Sequence, residues 1–209
     1  MENLNPQDEQ RSFSESTPEP AAGPADRDFG AIFSEATSMW TSNMGNLILI
    51  TLIFALVCWV PIANIGFAAG YYRALLKTAR GEKAEISDIF GAWGCFGQLF
   101  LYVIIIAIVS ILVNLIPILG ILVSIVICFF VIPGLFAIID RGMGAIEALK
   151  WTIKAFMAGI GNWILVILVG SILGGIGAIV FGIGAIVTMP WGYLMMVLMY
   201  ENQKDLDFE

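Results

Sequence analysis

The sequence predicts an all-α, polytopic membrane protein with six transmembrane helices, arranged as three hairpins with interfacial amphipathic helices. Three observations predict it. The run from Gln98 to Ile139 carries no charged residue. It is long enough for two crossings, because one crossing of a ~30 Å hydrocarbon core takes about 20 helical residues. Two further runs, 47–72 and 163–200, are equally free of charge. Hydrophobic residues make up 59% of the chain and charged residues only 13%, well away from the balance of soluble domains.

Residues 1–27 are rich in Pro, Glu, Ser and Ala. They cannot bury enough apolar surface to offset the entropy of ordering, so a disordered acidic tail is expected. A basic start followed by an apolar core is missing, so this stretch does not read as a signal peptide. Residues 28–203 are expected to form the membrane domain, and 204–209 a second acidic tail. Of the net charge of −7, most sits in the tails: residues 1–28 hold seven acids against Arg11 and Arg27, and residues 201–209 hold four against Lys204.

Within 28–43, Phe29, Ile32, Phe33, Ala36, Met39 and Trp40 recur at helical spacing. One apolar face ending at a tryptophan predicts a helix lying in the membrane interface. Gly45-Asn46 then opens the run 47–72, which Pro61 and Asn64 break. The run holds one long span or two short ones. The second helix can continue through Arg73, Lys77 and Arg80, whose stems snorkel toward water. The connector 73–96 ends in Ile89, Phe90, Trp93 and Phe96, a short helix that Ser87 or Asp88 would cap.

Gly97-Gln98 opens the central hairpin, whose turn falls at Asn114–Gly120 around Pro117. Asp140-Arg141-Gly142 begins the second connector. There Ile146, Leu149, Ile153, Phe156 and Met157 form a helical stripe opposite Glu147, Lys150 and Lys154. Gly161-Asn162 opens the last run, bent by the glycines from Gly174 to Gly184 and kinked at Pro190.

Overlaid, the three parts form a weak internal repeat. Each runs from an amphipathic helix through Gly-amide into an apolar run. Each returns through proline and glycine, Pro61 with Gly70, Pro133-Gly134 and Pro190 with Gly192, to a polar boundary. The connectors 73–96 and 140–161 hold seven of the ten Lys and Arg, and the turns hold none. That charge map predicts both termini on the cytoplasmic side. Five spans, with 47–72 crossing once and the acidic tail outside, is the alternative.

The chemistry on offer is limited. No Asp, Glu, Lys, Arg or His lies inside an apolar run, and the chain has no histidine at all. Proton relays and charged-substrate paths normally need such groups, so coupled ion transport is disfavoured. Asn64, Ser110, Asn114, Ser124 and Thr188 are expected to bond helix to helix. Cys58, Cys95 and Cys128 show neither metal spacing nor a disulfide framework. No catalytic, cofactor-binding or metal-ligating residue is assigned, no cofactor is expected, and no basic surface suggests nucleic acid. Lys77, Arg80, Lys83, Lys150 and Lys154 are the candidates for contacts with anionic lipid headgroups. Gly170, Gly174 and Ala178 form a candidate helix-packing face, inside one subunit or between two in a homodimer.

IPGLFAIIDRGMGAIEALKWT (132–152), ARGEKAEISDIFGAW (79–93) and VTMPWGYLMMVLMYENQ (187–203) resemble the YciC-like bacterial membrane proteins. The layout is also similar to the membrane domain attached to some glycerophosphodiester phosphodiesterases, whose catalytic domain is absent here. The resemblance implies six helices in a bacterial inner membrane and supplies no activity. A core without ionisable groups, interfacial helices and acidic tails lead to the expectation of a non-enzymatic integral membrane protein, a scaffold or accessory protein binding membrane partners or lipids. The competing expectation is a permease or carrier for a neutral or lipid-like solute.

Overall fold

The computed structural model describes residues 27–115, 119–179 and 183–205. The acidic stretch 1–26, the centres of two expected turns at 116–118 and 180–182, and residues 206–209 lie outside them. So do the side chains of Ser124, Cys128 and Ala178.

The described chain is all-helical. α1 spans Phe29–Val57, α2 Ala63–Ala79, α3 Ile86–Gly91, α4 Phe96–Asn114, α5 Leu119–Arg141, α6 Ala145–Ala158, α7 Ile160–Ile179 and α8 Ile183–Gln203. A 3₁₀ turn at Trp93–Cys95 leads into α4. The chain breaks between α1 and α2 at residues 58–62, so the run 47–72 forms two helices. Their packing is direct: Phe54 stacks on Tyr71 at 4.7 Å, and the Thr51 and Tyr71 hydroxyls lie 3.1 Å apart. α2 and α5 stop at Gly81 and Gly142, both at positive φ (76° and 64°). Glycine adopts that left-handed conformation without a Cβ penalty, which is why each helix stops there. Pro133 and Pro190 stay inside α5 and α8.

Two local expectations need correction. The first amphipathic segment is not a separate interfacial helix, because α1 continues through Gly45-Asn46 into the apolar run. A glycine inside a helix costs only about 1 kcal/mol, and burial on both sides holds the helix together. Ile32 and Ala36 are buried in the first half, Leu47 and Ile50 in the second. The second correction concerns the cap of α3. Glu85 takes the N-cap place, and its backbone N–H donates to Asp88 Oδ2 at 2.8 Å, while Ser87 lies inside the first turn.

The first half of α1 packs along α8. Trp40 stacks on Trp191 at 5.1 Å, and its indole N–H donates to the Val187 carbonyl at 2.9 Å. Trp191 in turn donates to Thr37 Oγ1 at 3.1 Å. Trp40→Phe keeps the ring contact and removes the donor, so a loss of about 1 kcal/mol is expected. The check is thermal unfolding of purified protein in detergent.

Candidate functional site

Two features stand out once the helices are in place: a cluster of charges where three helices end, and a groove beside it. The cluster is organised by Arg80, which caps α2. Its Nη2 lies 2.7 Å from Asp140 Oδ1 on α5 and 2.7 Å from Glu201 Oε1 on α8, and its Nε donates to Glu201 Oε1 at 3.0 Å. Tyr200 donates to the other Asp140 oxygen at 3.0 Å. Lys204 pairs with Glu201 at 2.8 Å, and Arg141 donates to the Lys204 carbonyl at 2.9 Å. Burial works against the Arg80 charge. Hydrogen bonds and charge from Glu201 and Asp140 more than offset it and hold the guanidinium above its ordinary range. Arg80 therefore stays charged at any working pH.

Behind the charges lies an aromatic core. Tyr72 of α2 meets Phe136 of α5 edge-on at 5.4 Å and Tyr193 of α8 at 5.2 Å. Phe136 continues to Tyr200 at 5.7 Å. Rings at these separations add to the burial they provide, so α2, α5 and α8 are joined along their length as well as at their ends.

Many large apolar side chains of the described residues, by contrast, face outward. Among the described residues three helical stretches are long and apolar enough to cross a bilayer: Phe29–Val57, Ile86–Asn114 and Ile160–Gly177. Only 11% of the most apolar window in Ile86–Asn114 is buried, and Ile104, Ile108, Ile111 and Leu112 on α4 are exposed. In water such a surface would drive association. In hydrocarbon it needs no cover.

This is a membrane-embedded helical protein. Comparison with known family models, curated proteins and solved structures finds no match to the chain. Its functional reading therefore rests on its own residues.

The five headgroup candidates part company in the structure. Arg80 is held in the cluster, and Lys77 pairs with Asp88 at 2.5 Å, tying α3 to α2. Lys83, Lys150 and Lys154 are exposed. Gly170 and Gly174 face α8 in the same chain: a Cβ on Gly170 would sit 2.8 Å from the Gly192 carbonyl, and one on Gly174 3.7 Å from Met189. Ala178 belongs to α7, with its side chain outside the described set. Of the polar residues in the runs, Thr188 bridges two helices, donating to the Gly174 carbonyl at 3.1 Å. Asn114 donates to Ser110 of its own helix at 2.7 Å. Among the described residues no group of three His, Cys, Asp or Glu is placed to hold a metal ion.

The residue that headgroup reasoning passed over is Arg73. It is exposed, and no hydrogen bond or ion pair engages it among the described residues. With Lys77, Arg80, Glu82 and Asp140 it lines a polar cavity of about 330 Å³. An apolar cavity of about 240 Å³ adjoins, lined by Phe54, Ile65, Tyr72, Leu99, Val103 and Leu135 among others. The signal was in the sequence: Arg73 is the first charge after an apolar run.

Proposed function

We propose that the chain is a six-helix integral membrane protein, three hairpins with amphipathic helices between them, acting as a non-enzymatic scaffold or accessory protein. It binds lipids and a membrane-protein partner and is read as sitting in a bacterial inner membrane with both termini cytoplasmic. The observation that carries the reading is the joining of α2, α5 and α8 by the Arg80–Asp140–Glu201 cluster and the Tyr72–Phe136–Tyr193 rings. A centre filled by rings and closed by ion pairs suits a rigid platform better than a conduit.

Equivalent close approaches support the threefold arrangement. Gly70, Gly134 and Gly192 each stand where a Cβ would collide with a neighbour: the Ile89 carbonyl, the Tyr102 hydroxyl with Thr152, and the Gly170 carbonyl. Two of the three opening amides reach the start of an amphipathic helix. Asn46 donates to the Ala84 carbonyl at 2.9 Å, just before α3, and Gln98 accepts from the Ala145 N–H at 3.0 Å, at the start of α6. The amphipathic segments complete the pattern. α3 lies on α2, α6 on α5, and the first half of α1 on α8. The orientation rests on the seven connector cations.

Two experiments test this. Single cysteines at residue 60 and residue 205 are expected to label from opposite sides of sealed vesicles; labelling from the same side would exclude six spans. Purification from native membranes in mild detergent, with bound proteins and lipids identified by mass spectrometry, is expected to yield a stoichiometric protein partner. A single enriched apolar solute without a protein partner would favour the carrier. The groove bordered by Asn64 is the observation that keeps the carrier as second reading.

A further inference from the structure

We infer that the groove between α2 and α5 is a binding site for one anionic glycerophospholipid, with Arg73 on its phosphodiester and an acyl chain in the apolar half. The inference rests on reading the chain as bilayer-spanning. It adds to that reading which lipid class binds, and where.

Three observations meet at this place. The first is the state of the charges. Lys77 is taken by Asp88, and Arg80 by Asp140 and Glu201, so two of the three cations lining the polar cavity are already neutralised. Arg73 lies two helical turns before Arg80, about 10 Å further along α2 toward the apolar half. An exposed guanidinium at that level, without a protein counter-charge, draws an anion from its surroundings. A planar fork of N–H donors also suits phosphate oxygens better than an ammonium does.

The second observation is continuity. Ile139 lines both cavities, and the neighbours Tyr72 and Arg73 line one each. A polar compartment thus opens onto an apolar one along a single helix. That is the sequence of chemistries along one lipid, headgroup then chain. A free phosphate would fill the polar half and leave the apolar half empty. A lipid with a neutral zwitterionic head would bring its own cation to Arg73.

The third is stoichiometry of charge. The polar lining holds three cations, Arg73, Lys77 and Arg80, and two carboxylates, Glu82 and Asp140. Lys77 and Arg80 are answered by Asp88, Asp140 and Glu201, so Arg73 is the lining cation left without a bonded carboxylate among the described residues, one guanidinium for one phosphodiester. Exposed Glu82 works against a head with more negative charge.

The test uses the full chain in detergent, followed by native mass spectrometry with added phosphatidylglycerol, phosphatidylcholine of the same acyl chains, or inorganic phosphate. Phosphatidylglycerol is expected to remain bound, one per chain, about ten-fold more tightly than phosphatidylcholine. Arg73→Gln should abolish that preference and Arg73→Lys should keep most of it. Arg27→Gln, whose side chain pairs with Glu35 and lines neither cavity, should leave it unchanged. Val103→Trp, which fills the apolar half from an exposed position, should weaken both lipids together. Equal retention of the two lipids overturns the proposal, as does a preference that survives in Arg73→Gln. Inorganic phosphate displacing phosphatidylglycerol at comparable concentration overturns the lipid as occupant. Carbonate extraction separates the two levels of the argument. A wild-type chain that resists extraction yet shows no preference removes this inference alone, whereas a chain stripped from membranes removes the bilayer-spanning reading as well.

Discussion

Replacing Arg80 with glutamine is expected to be the most damaging charge change in the protein. Arg80 is the shared counter-charge of Asp140 and Glu201, whose side chains are only 14% and 15% exposed. Removing it leaves two carboxylates facing each other in a partly dry site. Stranding a buried charge costs about 3–5 kcal/mol, and partial exposure here argues for the lower end, about 3 kcal/mol. The measurement is the melting temperature in detergent, read by size-exclusion after heating. The triple variant Arg80→Gln, Asp140→Asn, Glu201→Gln should recover at least half of the loss, because no carboxylate is then stranded and Lys204, which loses Glu201, is 24% exposed to solvent. A triple variant no better than the single one would mean that Arg80 acts through packing of its stem.

Gly192→Ala is expected to have the larger effect of the two. The added methyl would press on the backbone carbonyl of Gly170, which cannot rotate away as a side chain can. α7 and α8 must then move apart along their length. Overpacking of this kind costs about 1–3 kcal/mol and more where backbone blocks relief, so loss of the folded protein from detergent extracts is the anticipated outcome. Gly70→Ala, against the Ile89 carbonyl, should behave alike. Gly45→Ala and Gly97→Ala are the controls, since nothing lies within 4 Å of either position. Both should be neutral or slightly stabilising, by the helix propensity of alanine. Equal damage from all four would dismiss close approach as the reason for these glycines.

Much of this architecture was legible in residue patterns, and the rest was hidden for definite reasons. Long uncharged runs dictate helices whatever their neighbours, so the all-helical class could be read directly. The continuity of α1 could not. Gly45-Asn46 looks like a boundary, but whether a helix stops at glycine depends on what the flanking residues bury. Ile32, Ala36, Leu47 and Ile50 all find partners. The cap of α3 was misplaced because Ser and Asp are the stronger capping types, yet Asp88 serves better three residues on, accepting from the Glu85 N–H. Lys77, Arg80, Glu82 and Asp140 were visible as charges bordering apolar runs. Their division into bonded and unbonded was not, since Arg80 and Glu201 are 121 residues apart. Arg73 becomes conspicuous only when its neighbours are seen to be taken.

The seat of α1 on α8 has a consequence for how the protein is made. The Arg27 N–H meets Asn202 Oδ1 at 3.4 Å, and Trp40 meets a carbonyl 147 residues later. A segment made early therefore waits for one made 147 residues later, on the order of ten seconds at ordinary elongation rates. Until then its tryptophan and phenylalanines have no seat, and a truncated chain carries that open edge permanently. Quality-control proteases would have a simple mark of incompleteness to act upon. The same closure places the two ends of the membrane domain side by side. A gene that joins residue 205 to residue 27 through a short linker and opens the chain at Gly142 should still produce the fold, made in a different order.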